Sequence, residues 1–469
     1  MSRGHRRIRL VGTLAAAALL AGCATVDPDA SFAPVAQAAR EHLGQDLLWP
    51  RSEADQAAIA QRVEALLARP LSADDAVQLA LLNNRGLQAG LQSLGIAAAD
   101  LVQAGRLPNP GFSLGRLRQG DETELERGLH FDLGALFTLS RQRAVEARRH
   151  QATQAAVTLQ MLALASDTRK AWVQALAAAE SVRYMRQVAQ AAEAGAELAR
   201  RMAQVGNFSK LQQAREQGFQ ADAALQLARA EQAQRASRER LIRLLGLWGT
   251  QTRFQLPERL PDLPATLPER PDIERLALAQ RLDVQAARLT AEQTARQLGL
   301  TRATRWVQLP ELGLVHNSAS GEPVQRGWEI GLTLPLFDSG DARLARAEAV
   351  YQQALHRAAD AAIQARSEVR EADGAWRAAH DIARHHQDHI VPLRRQIADE
   401  NLLRYNAMLI GVFELLADAR LQIASVNAAI EARRDFWLAQ ADLDMALLGK
   451  PALAPAAGPA AAPAAEAGH

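Results

Sequence analysis

The chain has 469 residues, of which 48% are hydrophobic and only 4% aromatic, with 54 Lys and Arg against 52 Asp and Glu. An aromatic-poor core rich in alanine and leucine suits long, closely packed helices better than a bulky sandwich. The near-neutral, interspersed charge excludes a nucleic-acid footprint. A single cysteine excludes an intramolecular disulfide and a cysteine-based metal site.

The first ten residues carry Arg3, Arg6, Arg7 and Arg9, and a short apolar run follows from Leu10 to Leu20. That run is too short to stay in a bilayer as a helix, so it reads as a secretory signal. Leu20-Ala21-Gly22-Cys23 resembles a bacterial lipobox, in which the thiol takes a diacylglycerol and becomes the mature N-terminus. Residues 1–22 are therefore read as a lipoprotein signal peptide and 23–70 as a lipidated N-terminal segment, with covalent lipid on Cys23 and no other cofactor expected. Ala24 follows the cysteine, and the lipobox resemblance then implies outer-membrane sorting, since an aspartate there usually means inner-membrane retention. Beyond this point no run of about 18 apolar residues occurs, so any crossing of a membrane has to use strands.

The rest of the chain repeats itself. Leu79-Ala80-Leu81 matches Leu276-Ala277-Leu278, and Leu87-Gln88-Ala89 matches Val284-Gln285-Ala286. Leu107-Pro108-x-x-Gly111 matches Leu309-Pro310-x-x-Gly313, and Leu136-Phe137 matches Leu336-Phe337. Residues 71–250 form a first structural repeat, 251–270 a proline-rich linker and 271–450 a second repeat; 451–469 is a Pro/Ala tail expected to be disordered. In the first repeat a helix begins at the capping sequence Ser72-Ala73-Asp74-Asp75 and runs toward Val102, where Pro108 and Pro110 stop the pattern. Phe112–Leu117 is a short strand. Leu129–Phe137 alternates with the two-residue period of a strand with one apolar face. From Ser140 to Met202 only helix formers occur, enough for a helix roughly 95 Å long, and Ser209–Leu245 gives a second. In the second repeat Glu311–Asn317 and Trp328–Leu334 are strands, Asp341 to about Tyr405 is a long helix that Pro392 should kink, and Gly411–Leu448 is the last helix.

Two short hairpins cannot close into a barrel and leave two open edges. Three copies would supply twelve strands, the even number that bacterial barrels use. The expected fold class is thus mostly α with a small membrane β-barrel portion. No phosphate loop, nucleophile elbow or His-Glu-x-x-His is present, so no enzyme is expected. His380, His385, His386 and His389 crowd one helix segment. His385 and His389, spaced i, i+4, are the weak candidates for a metal pair, set against a solvated helix surface that needs no metal.

Several segments resemble the TolC-type outer membrane factors. Arg281-Leu282-Asp283-Val284 resembles that family's Arg-Pro-Asp-Val segment, with Leu282 for proline. Pro335-Leu336-Phe337-Asp338-Ser339-Gly340 is similar to its Pro-Leu-Phe-Asp-x-Gly strand-to-helix motif. Arg404-Tyr405-x-x-Met408 resembles Arg-Tyr-x-x-Gly at a hairpin tip, and Leu415–Arg420 resembles Val-Leu-Asp-Ala-x-Arg with Ala417 at the usual Asp. The resemblance implies a homotrimer with a 12-stranded β-barrel and an α-helical periplasmic tunnel. It also implies an inner-membrane pump and a periplasmic adaptor as partners, and passive export by efflux or type I secretion. Carboxylates at the tunnel constriction are implied as well; Glu414 matches one such position, and Asp418 lies beside the other. A periplasmic adaptor lacks the second hairpin and strand pair, and a coiled-coil lipoprotein without a pore leaves the alternating strands unexplained.

Overall fold

A computed structural model describes residues 26–304, 311–331 and 337–451. Cys23 and the signal, Leu309-Pro310, the strand end at 332–334, Pro335-Leu336 and the tail from residue 452 lie outside the described residues. The described chain is mostly helical with one small sheet. Among the described residues no helix is long and apolar enough to cross a membrane.

Two N-terminal helices, α1 (Pro28–Leu43) and α2 (Glu53–Leu67), precede an order of elements that occurs twice. In its first occurrence α3 (Ala73–Asn83) and α4 (Arg85–Ala104) lead to β1 (Gly111–Gln119), β2 (Glu122–Asp132), α5 (Leu133–Gln204) and α6 (Lys210–Leu245). In its second, α7 (Ile273–Gln280) and α8 (Leu282–Thr304) lead to β3 (Glu311–Ala319), β4 (Gln325–Gly331), α9 (Asp341–His385), α10 (Val391–Asn406) and α11 (Val412–Leu448).

The local chemistry accounts for the boundaries. Ser72 accepts the Asp75 N–H while Asp75 accepts the Ser72 N–H, the reciprocal cap that starts α3. Ser209 and Gln212 start α6 in the same way. At the other end of α6, Gly246 takes a left-handed φ of 66°. A Cβ there would come within 2.6 Å of the Asn83 carbonyl oxygen. Asn83 Nδ2 donates to the Leu245 and Gly246 carbonyls, and Asn84 Nδ2 to that of Leu244, satisfying the carbonyls the helix end leaves open.

One expectation is corrected here: the alternation from Leu129 to Phe137 is not all strand. β2 ends at Asp132, whose carboxylate accepts the N–H groups of Gly134 and Ala135 at 2.9 and 3.1 Å and so starts α5 at Leu133. An aspartate N-cap followed by 72 residues without proline outweighs an apolar period of two. The expected kink at Pro392 takes the form of a π turn over His386–Ile390, where the Val391 N–H reaches the His386 carbonyl five residues back. Widening that turn accommodates a ring that lacks an N–H and would crowd the preceding turn.

The chain divides into two compact units. One comprises the described residues up to Val35 with Gly90–Val157 and Gln285–Ala359; the other comprises Ala36–Ala89, Thr158–Val284 and Asp360 onward. The first holds the sheet, a four-stranded antiparallel array in the order β1-β2-β3-β4. The second holds a core of Leu71, Leu79, Leu82, Trp172, Leu176, Leu241 and Leu245, in which the Trp172 indole donates to the Leu71 carbonyl at 2.8 Å. A further cluster there is built on Trp376, Phe436 and Leu443, filled in by alanines.

Candidate functional site

The register of the sheet sorts its side chains. Phe112, Leu129, Leu314 and Trp328 stand opposite one another across all four strands. Phe131, Leu312 and Ile330 form the next row toward the helices. Phe112 and Trp328 are 69% and 70% exposed, so no described residue covers this face at either edge. The opposite face carries Glu124, Glu126, His130, Asp132, Glu311 and Glu329, spaced by Gly111, Gly115, Gly128 and Gly313. His130 is held there by Ser113 Oγ at 3.0 Å and lies 3.8 Å from the Glu329 carboxylate. Gly313 leaves room for the Glu329 side chain: a Cβ there would meet Glu329 Cγ at 2.5 Å and force that side chain aside. One face suits hydrocarbon and the other water, the alternation of a membrane strand. β1 and β4 each pair on one side only among the described residues.

The turns that join the long helices belong to the second unit. Between α5 and α6, Gly206 at φ 82° turns the chain, and the Asn207 N–H bonds to the Met202 carbonyl at 2.9 Å. Just before the turn, the hydrogen bond from Arg201 at 2.7 Å holds the Glu197 carboxyl below its usual range. Between α10 and α11, Met408 sits at φ 61°, a left-handed position that favours glycine, and is 92% exposed. The structure separates the two carboxylates singled out there. Glu414 is exposed in the first turn of α11 and has no ion-pair or hydrogen-bond partner among the described residues. Asp418 instead accepts from the amide of Asn401, which is buried on α10. Two residues on, Arg420 pairs with the buried Glu216 of α6 at 3.3 Å and lies 4.3 Å over the Phe219 ring. Sequence reasoning missed Asn401, Glu216 and Phe219, because partners that far apart in the chain carry no local spacing.

The four clustered histidines are not brought together, and a uniformly solvated surface is not what they form. His380 is buried, its Nε2 within 3.0 Å of the Pro264 carbonyl and its ring against Phe436. His385 and His389 do adjoin, with ring centroids 5.2 Å apart. Among the described residues no group of three His, Cys, Asp or Glu is placed to hold a metal ion. Arg281, by contrast, is the hub of a built site: 1% exposed, it reaches Asp283 and Glu368 at 2.7 Å each and the Ala446 carbonyl at 3.4 Å. That network ties α7 and α8 to α9 and α11.

No protein-family model matches the chain, and no curated protein does either. Solved structures do. The outer membrane protein VceC of Vibrio cholerae superposes with a TM-score of 0.65 at 16% identity over 84% of this chain and 97% of VceC. The outer membrane channel MtrE of Neisseria gonorrhoeae in its open state gives 0.60 at 19% identity, over 83% and 89%. CusC, studied for conformational changes that accompany folding and transmembrane channel formation, gives 0.64 at 17% identity, over 83% and 92%. The chain has the fold of outer membrane channels.

Proposed function

We propose that the protein is the outer membrane exit duct of a tripartite efflux or type I secretion system, passing cargo passively from a periplasmic adaptor and inner-membrane pump to the exterior. The observation that carries this reading is the two-faced sheet whose two edges are unpaired among the described residues. An apolar face left uncovered, beside two strand edges, is unstable in water and in an isolated monomer. Three copies closing edge to edge into a twelve-stranded barrel would satisfy the edges, turn Phe112, Leu129, Leu314 and Trp328 to lipid and enclose the acidic face around water. A lipid on Cys23 would add a second hold on the same membrane. The fold shared with VceC and MtrE supports the same reading.

In such a trimer the helical turns lie at the end of the chain's long helices away from the strands. Glu414, whose carboxylate has no partner among the described residues, is the better placed of the two candidates to ring an axis and attract cations. Asp418, engaged by Asn401, fixes α11 against α10. The test is conductance in a planar bilayer together with the mass of the detergent-solubilised oligomer by light scattering. A cation-selective pore from a trimer is expected; a monomer that does not conduct would refute the proposal.

A further inference from the structure

The outward face of the sheet is not apolar along its whole height. Two residues beyond the row of Phe112, Leu129, Leu314 and Trp328, toward the hairpin turns, comes the row Leu114, Arg127, His316 and Arg326. Arg116, paired with Leu125, and Arg118, paired with Thr123, follow on the same face. Every strand arginine therefore lies on the apolar face, and every strand carboxylate lies on the other. None of Arg116, Arg127 and Arg326 has a carboxylate partner among the described residues, and Arg116 and Arg326 are exposed. Arg127 is engaged only by His316 Nδ1, at 3.2 Å. Since a guanidinium can only donate, Nδ1 accepts, and the His316 Nε2–H is left as one more donor in the row.

Strands are spaced by about 4.8 Å, so Arg127 and Arg326 stand about 10 Å apart on either side of His316. Cations this close without anions repel one another. The sequence nevertheless keeps six carboxylates on the same four strands, none of them turned to this side. A ligand for the row has to be anionic and to tolerate the apolar rows that adjoin it. A lipid with a phosphate-bearing headgroup meets both demands, its acyl chains along Phe112, Leu129, Leu314 and Trp328 and its phosphates in the guanidinium forks.

We infer that Arg116, Arg127, His316 and Arg326 form a binding site for the headgroup phosphates of an anionic lipid, at the rim of the membrane-facing sheet farthest from the helices. The inference rests on the outer-membrane reading above, in which that rim meets the outer leaflet. It also marks where the hydrocarbon ends, since arginines on a lipid-facing strand are tolerated at headgroup depth and not at the bilayer midplane.

The test uses the full-length oligomer, washed free of lipid in detergent, with binding counted by native mass spectrometry. The probes are diphosphorylated lipid A, phosphatidylcholine and inorganic phosphate. Diphosphorylated lipid A should bind the unmodified protein in preference to phosphatidylcholine. The combined variant Arg116→Gln, Arg127→Gln and Arg326→Gln should bind it about tenfold more weakly, while its oligomer mass stays unchanged. Equal binding to protein and variant would overturn the site, as would displacement of lipid A by inorganic phosphate at equal concentration, which would mark a site for free anions. Membrane insertion is read separately. In vesicles whose acyl chains are brominated, part of the tryptophan fluorescence should be quenched, and Trp328→Phe should remove that part. Quenching without selective lipid A binding would overturn this inference alone; no quenching would overturn the membrane reading beneath it.

Discussion

Replacing Arg281 with methionine keeps most of the side-chain volume and removes the cation from a site where only 1% of it meets solvent. Asp283 and Glu368, 21% and 15% exposed, would then face each other with their shared partner gone. Breaking a buried pair from one side costs about 3–5 kcal/mol, because the charge left behind stays desolvated. The partial exposure of both carboxylates puts the expected loss near the lower end, about 3 kcal/mol. Neutralising the site as a whole, with Asp283→Asn and Glu368→Gln added to Arg281→Met, should recover most of that loss, since uncharged polar groups cost far less to bury than unpaired carboxylates. Urea denaturation in detergent at fixed protein concentration, followed by far-UV circular dichroism, measures both quantities. A loss below about 1 kcal/mol in the single variant, or a triple variant no more stable than the single, would refute the account of Arg281 as a charge hub.

Further outcomes follow from other positions. Met408→Gly should raise stability by about 1 kcal/mol, seen as a higher urea midpoint, since a left-handed φ penalises any Cβ. Burial pushes the His150 imidazole below its ordinary pKa, and its Nε2 lies 2.9 Å from Ser31 Oγ on α1. Its depressed value means that its contribution is complete above the unfolded value of about 6.5 and is lost as pH falls toward the folded one. Hydrogen exchange in residues 28–35 should therefore quicken on acidification in that range, and His150→Gln should abolish the dependence. Glu414→Gln should lower cation selectivity, read as a shift in reversal potential across a salt gradient, with a smaller shift for Asp418→Asn. Cys23→Ser should abolish labelling by radioactive palmitate; labelling that persists would reject lipidation at this residue.

What the sequence made legible is what local chemistry determines. The cap at Ser72, the helix start at Ser209, the stop before Pro108 and the strands around Phe112 and Leu312 all lie close to where periodicity and capping residues put them. The error at Leu133–Phe137 arose where two local signals competed, an apolar alternation and an aspartate cap, and the cap prevailed. The separation of Glu414 from Asp418 was not legible, since it turns on Asn401, which meets Asp418 only once α10 and α11 are paired. The sorting of arginines from carboxylates was hidden for a related reason. In the sequence Arg116 on β1 and Glu124 on β2 look like ordinary interspersed charge, and only the register of the two strands reveals that they face opposite ways.

The open edges of β1 and β4 have a consequence for how the protein is made. In the proposed trimer each chain would carry, until its edges join those of other copies, two templates for indiscriminate strand pairing and a greasy sheet surface. Its maturation should therefore depend on encounter between chains, with a yield of sound oligomer that passes through an optimum in concentration: too dilute and the edges wait, too crowded and they pair out of register. Overproduction should shift the balance toward aggregates, and periplasmic chaperones that shield apolar strands should widen the productive range.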